Sequence, residues 1–189
     1  MKLRRFVPAY SKNGQRLSFL GNPFTNPGRR TPAGWVILLA MRVTLAHIGA
    51  RSNAKVGFDA LAQLYLDRCS PFARCQAESF RTEEAFVEWL SRQQGRTAAV
   101  PVLLDSRGKQ MTSEAFAGWL GGRRDEGAQH LVFAIGPADG WSEAARERAQ
   151  MLLSLGPMTL AHALARLVLA EQLYRAFTIL SGHPYHAGH

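Results

Sequence analysis

A chain of 189 residues that is 47% hydrophobic holds enough apolar side chain for a full core, which excludes a disordered or fibrous protein. Its formal net charge of +9 points to a nucleic-acid partner, yet seven of the 23 Lys and Arg residues fall within positions 1–40, where no Asp or Glu stands. The other 16 face 14 acidic residues, so an RNA contact in the rest of the chain needs a local patch rather than bulk charge.

Residues 1–34 have neither helical nor strand periodicity, and Asn22-Pro23, Asn26-Pro27-Gly28 and Thr31-Pro32 are turn and breaker signals. The apolar run from Trp35 to Met41 meets Arg42 at once, far short of the ~20 apolar residues that span a bilayer. Residues 1–40 are therefore expected to be an unstructured basic extension, a targeting peptide, or the product of a start codon assigned upstream of the true one at Met41. Residues 41–189 carry no linker or repeat and read as one domain of ordinary size.

Within that domain strands and helices alternate. Arg42–Ile48 has a period of two and reads as a strand. Ala54–Arg68 reads as a helix, with Val56, Leu61, Leu64 and Leu66. Cys69 and Cys75 are too few for a disulfide framework and lack the further ligands of a zinc site, so both read as free thiols of a cytoplasmic protein that binds no metal. Phe72–Phe80 is a second strand. Thr82 caps a helix that opens with Glu83 and Glu84 and shows Phe86, Trp89 and Leu90 on one face. Ala98–Leu104 is a strand ended by Asp105. Thr112 or Ser113 caps a helix through Leu120, stopped by Gly121-Gly122. Leu131–Ile135 is a buried strand ended by Gly136. Ser142 caps a short charged helix to Gln150, Met151–Leu155 is the last strand, and a long apolar helix follows.

The class is α/β, with a mostly parallel sheet flanked by helices. Such sheets bind ligands outside the carboxyl ends of their strands, here Leu104-Asp105, Ile135-Gly136 and Leu155 through Leu160. The chain has no G-x-G-x-x-G after a strand and no P-loop. A cofactor must then be held by backbone groups and apolar walls, which suits an adenosine moiety without a pyrophosphate.

Five motifs follow one another through the domain: Leu104-Asp105-x-x-Gly108-Lys109, Phe133-Ala-Ile-Gly-Pro-Ala-Asp-Gly140, Leu155-Gly-Pro-Met-Thr-Leu-Ala-His162, Glu171-Gln-Leu-Tyr-Arg-Ala176 and His183-Pro-Tyr-His186. In order and spacing, residues 41–189 resemble the bacterial ribosomal RNA large subunit methyltransferase H family, pseudouridine N3-methyltransferases of the SPOUT class. The resemblance implies a C-terminal trefoil knot, a homodimer, S-adenosylmethionine as methyl donor and 23S rRNA within the ribosome as substrate. Motif by motif it implies cofactor contacts at Leu104, Gly136, Leu155, Gly156, Pro157, Met158, Thr159 and Leu160. Residues 1–40 have no counterpart in the family. The chain also departs from the family's usual Gly-Gly-Pro-Glu-Gly at Gly136-Pro137-Ala138-Asp139-Gly140, and has Gly182 where Asn is common. Pro137 and Pro157 each remove a backbone donor.

Methylating N3 of a uracil-type base requires loss of its proton and an in-line approach. Histidine titrates nearest neutrality, so His183 and His186 are the candidate bases, with the alternative that they are surface tail residues. Tyr185 is a candidate to stack on or orient the base, or packs as an ordinary aromatic. Arg175 is a candidate to stabilise charge on the target carbonyls or hold a phosphate, or pairs with Glu171 one turn earlier. His162 reads as a cap or packing residue, and His47 and His130 as structural residues of strands. Arg107 and Lys109, beside a strand end, are the favoured RNA contacts over Arg51, Lys55, Arg123 and Arg124.

The final helix carries Leu164, Leu167, Val168, Leu169, Leu173, Phe177, Ile179 and Leu180 and leaves little polar surface. It is expected to be covered on one side by its own sheet and on another by a second subunit, the alternative being full burial in one subunit. In the family one subunit's tail helps build the site around its partner's cofactor. A second functional reading is a non-catalytic RNA-binding or ribosome-assembly protein that kept the fold and lost the cofactor, for which Pro137 and Pro157 are the motive.

Overall fold

A computed structural model describes residues 41–49, 57–93 and 98–186, the side chain of His186 excepted. The expected extension at 1–40, the residues Arg51 and Lys55, and the expected start of the first helix at Ala54 lie outside the described residues.

Strands β1 (Arg42–Ile48), β2 (Arg74–Phe80), β3 (Val100–Gln110), β4 (His130–Ile135) and β5 (Met151–Ser154) form one sheet in the order β2-β1-β4-β3-β5. Every pairing is parallel, as the apolar strands predict. The helices are α1 (Gly57–Arg68), α2 (Glu83–Ser91), α3 (Ser113–Asp125), α4 (Glu143–Glu147) and α5 (His162–Leu180), followed by a 3₁₀ turn at Pro184–His186.

The two-residue period of the strands divides the core. Val43, Leu45, Val102, Leu131, Phe133 and Leu153 face α1, α3 and α5 through Leu66, Phe116, Leu120, Leu169, Leu173 and Phe177. Ala46, Ile48, Leu103, Val132 and Ala134 face the other way, onto Phe86, Trp141 and Ala145. Strand β4 has partners on both edges and layers on both faces, and all six of its residues are buried. Helix α5 packs between α1 and α3 on the sheet. Thr82, Thr112 and Ser142 cap α2, α3 and α4 as expected, each accepting from the backbone N–H three residues on.

Four boundaries differ from expectation. Strand β3 does not end at Asp105. Leu104 and Lys109 both register with Leu153, so Asp105–Gly108 loop out and the strand then rejoins β5. Helix α3 passes through Gly121-Gly122 to Asp125. Gly121 is there for packing: a Cβ would meet Leu180 Cδ2 at 2.9 Å, so the missing side chain lets α5 approach. Helix α4 stops at Glu147 because the Gln150 N–H already donates to Pro101 O at 2.9 Å, drawing the chain into the sheet. Strand β2 begins at Arg74, since Phe72 and Ala73 both donate to Cys69 O in a turn. Both thiols are free, Cys69 buried and Cys75 half-buried. A hydrogen bond to Cys75, then burial, pushes the Cys69 thiol far up.

Candidate active site

Strands β4, β3 and β5 are neighbours, so the end of β4, the point after Leu104 where β3 loops out and the end of β5 lie side by side. A cleft of about 780 Å³ opens over them, walled by Ile48, Leu104, Ile135, Gly136, Leu160 and His162. A second cavity of about 260 Å³ shares Leu104, Ile135 and Leu160 and adds Leu155, Gly156, Pro157, Met158 and Thr159. Between them the two cavities collect all eight cofactor candidates. Ser154 starts the loop by turning back on it: its hydroxyl donates to Gly156 O at 3.1 Å and accepts from Gly156 N at 3.2 Å.

Two side chains absent from the sequence candidates brace this region. Trp141 is buried, and its Nε1 donates to Leu104 O at 3.0 Å. Its indole lies against Gly136, where a Cβ would come within 2.9 Å of it, so glycine at 136 is what admits the ring. Asp105 accepts from Arg146 Nε at 2.7 Å, from the Arg107 N–H at 2.9 Å and from Arg107 Nε at 3.3 Å. Burial works to raise its pKa, but the hydrogen bonds from Arg146 and Arg107 outweigh burial and hold the carboxyl below its ordinary value. The looped-out segment of β3 is thus pinned by its own aspartate.

The histidines divide clearly. His130 is a buried structural residue, with Nδ1 2.9 Å from Arg42 Nη2 and Nε2 2.9 Å from Thr44 Oγ1. His47 is also buried and stacks edge-on with His162, ring centres 6.1 Å apart. His162 does not cap α5: the cap position is Ala161, without a side-chain bond. It instead reaches Gly136 O with Nε2 at 2.7 Å.

The tail candidates form a separate cluster. Arg175 donates to Glu171 Oε1 from Nε (2.9 Å) and Nη2 (2.7 Å), and Tyr185 donates its hydroxyl to the same oxygen at 3.2 Å. The Arg175 guanidinium stands 5.1 Å from the Tyr185 ring centre, and Tyr185 packs edge-on to Tyr174. Burial first, then contact with Tyr65 and the Glu171 charge, pushes the Tyr185 phenol well above its usual range, so it remains protonated. His183 is exposed, its Nδ1 accepting from the Tyr185 N–H at 3.2 Å. The backbone of His186 belongs to the 3₁₀ turn, and its side chain lies outside the described residues.

Helix α5 has 19 residues, about 28 Å at 1.5 Å per residue, with the loop at its start and the tail past its end. Tyr185 folds back onto Glu171, nine positions after His162, so Arg175 and Tyr185 cluster along the second half of the helix.

The basic candidates also separate. Arg107 is occupied by Asp105 and approaches Glu143 at 4.0 Å. Arg123 and Arg124 pair with Glu126 and Asp125. Lys109 is exposed and has no ion pair among the described residues, and the same holds for Arg81, which lines the cleft just past β2. Arg81 was absent from the sequence candidates because nothing local marks it; only the β2-β1-β4 order carries it to the rim.

Residues 41–186 match the family model described as predicted SPOUT methyltransferase. The chain is 47% identical over 149 residues to the ribosomal RNA large subunit methyltransferase H of Koribacter versatilis, covering 79% of this chain and 100% of that protein. A protein of the same name from Rhizobium etli is 47% identical over 139 residues, covering 72% of this chain and 82% of the relative. One from Brucella ovis is 49% identical over 109 residues, covering 58% and 64%. The chain belongs to the SPOUT methyltransferase family.

The cleft suits the nucleoside cofactor that this class implies. Its volume falls in the range of small-molecule sites, and its walls at Ile48, Leu104, Ile135 and Leu160 are apolar. Among the described residues no group of three or more His, Cys, Asp or Glu is placed to hold a metal, and no helix is long and apolar enough to cross a membrane.

Proposed function

We propose that this chain is a cytoplasmic methyltransferase that transfers a methyl group from S-adenosylmethionine to N3 of a pseudouridine in 23S rRNA of the ribosome. The observation that carries the reading is the convergence of Leu104, Gly136 and Leu155–Leu160 on adjoining cavities at three neighbouring strand ends. The likeness to relatives named ribosomal RNA large subunit methyltransferase H, over 100% and 82% of their lengths, supports the substrate class.

When bound, S-adenosylmethionine supplies an electrophilic methyl on a sulfonium. The apolar walls of the cleft hold its adenosine and exclude water, and the chain's remaining work is on the RNA base. His183 or His186 takes the N3 proton, so that the ring nitrogen presents its lone pair. Arg175 offsets the charge that develops on the flanking carbonyls. Tyr185, a protonated phenol, donates or stacks rather than acting as a base.

We place these groups at a cofactor across a two-fold dimer, in which the tail of one copy completes the site of the other; the position of Arg175 and Tyr185 along the second half of α5, with the loop at its start, supports that arrangement. Exposed Phe58, Leu61 and Leu64 on α1, which packs against α5, supply apolar surface for that pairing.

Pro137 and Pro157 favour the second reading, a non-catalytic RNA-binding or assembly protein. Calorimetry with S-adenosylmethionine separates the two, since absence of binding at millimolar concentration rules out the enzyme. Labelled methyl transfer to intact ribosomes and to free rRNA then tests the substrate. Joint substitution of His183→Ala and His186→Ala is expected to lower turnover with cofactor affinity nearly unchanged. Unchanged turnover removes both from the mechanism.

A further inference from the structure

One buried polar chain beneath the cleft is left unused by this chemistry. Asp59, in the first turn of α1, accepts through one oxygen from Arg166 of α5, at 3.0 Å from Nε and 2.6 Å from Nη2. Arg166 Nη1 stands 3.2 Å from His162 Nδ1, and His162 Nε2 stands 2.7 Å from the carbonyl oxygen of Gly136. An arginine only donates and a carbonyl only accepts. The His162 Nδ1 therefore carries the lone pair and Nε2 the proton.

The pair is costly to keep. Its side chains are 9% and 17% exposed, and taking two charges out of water offsets most of their attraction. What the pair does secure is orientation. His162 and Arg166 lie one turn apart on the same face of α5, so Asp59 fixes Arg166, and Arg166 fixes the ring and tautomer of His162.

We infer that Asp59, Arg166 and His162 form a positioning relay that holds the Gly136 carbonyl and locks the cofactor loop to the end of β4. Leu160, the last residue of that loop, stands two positions before His162, and Leu160, Gly136 and His162 all line the cleft. Anchoring His162 on Gly136 O thus sets the spacing between two walls that come from distant parts of the sequence. The hydrogen-bonded relay stands on geometry alone; its effect on affinity rests on the cofactor reading proposed above.

The test has two arms. In the ligand-free chain, long-range proton–nitrogen correlation spectra of the imidazoles are expected to show His162 with a bare Nδ1 and a protonated Nε2. A proton on Nδ1 overturns the relay. In calorimetry with S-adenosylmethionine, His162→Leu keeps apolar bulk but loses both bonds, and is expected to bind about tenfold more weakly. His162→Gln retains a donor for Gly136 and an acceptor for Arg166, and is expected to stay within about threefold of the unsubstituted chain. Thermal unfolding checks that both variants fold. A folded Leu variant that binds as tightly as the parent overturns the positioning role. If the parent itself fails to bind, the cofactor reading falls and the spectra alone decide the relay.

Discussion

The indole Nε1 of Trp141 donates to the carbonyl oxygen of Leu104 at 3.0 Å, so a side chain from the loop after β4 braces the point where β3 loops out. Trp141→Phe keeps most of the packing and leaves that carbonyl without the indole donor. It is expected to cost about 1 kcal/mol, and Trp141→Ala about 3–5 kcal/mol, in urea unfolding. A Phe variant as stable as the parent would show that the bond contributes nothing.

Stability is expected to depend on His130. Burial first, and then the Arg42 charge, lowers its pKa from 6.5 to about 4. Between those values the unfolded chain binds a proton that the folded chain does not. Stability therefore rises with pH through this window and is lost as pH falls from 6.5 toward 4, by about 1–3 kcal/mol for this group. Urea unfolding at several pH values measures the slope. His130→Asn is expected to flatten it, and an unaltered slope would assign the effect to other groups.

RNA affinity is expected to rest on Lys109 and Arg81 more than on Arg107. Each of the first two is free of an ion pair among the described residues, whereas Arg107 is held by Asp105. Lys109→Ala and Arg81→Ala should each reduce the slope of log affinity against log salt by about 1, and Arg107→Ala by less. The opposite order would mean that the Asp105 pairing opens on binding.

Dimer sharing predicts complementation. A chain with His183→Ala and His186→Ala, and a chain whose loop cavity is filled by Thr159→Trp, should each lose most of their activity alone. Refolded together in equal amounts they should recover about a quarter of the parental sites, the share that random two-fold pairing completes. No recovery, with mixed dimers demonstrated by mass, would place tail and cleft in the same subunit.

Much of the fold was legible because its signals are local. The period of two in Arg42–Ile48, the apolar run at Leu131–Ile135 and the caps at Thr82, Thr112 and Ser142 each lie within a few residues of what they organise. The misread positions are those where a local signal had a distant cause. Gly121 looked like a helix stop but serves contact with Leu180, and Asp105 looked like a strand end but anchors Arg146 and Arg107. The cavity-lining loop Leu155 to Leu160 was legible as a strand-end segment within a family motif. Trp141, Asp59 and Arg166 were not, since no spacing in the sequence connects them to Gly136 or Leu104.

By itself, then, the sequence determined the α/β alternation and the parallel sheet and marked the loops proposed to carry a cofactor, because burial imposes periods that each segment displays alone. Tertiary structure alone decided that Arg146 is spent on Asp105 and Arg166 on Asp59, and that His162 holds Gly136. Those relations depend on strand order and helix packing across 26 to 107 residues, and no local pattern encodes them.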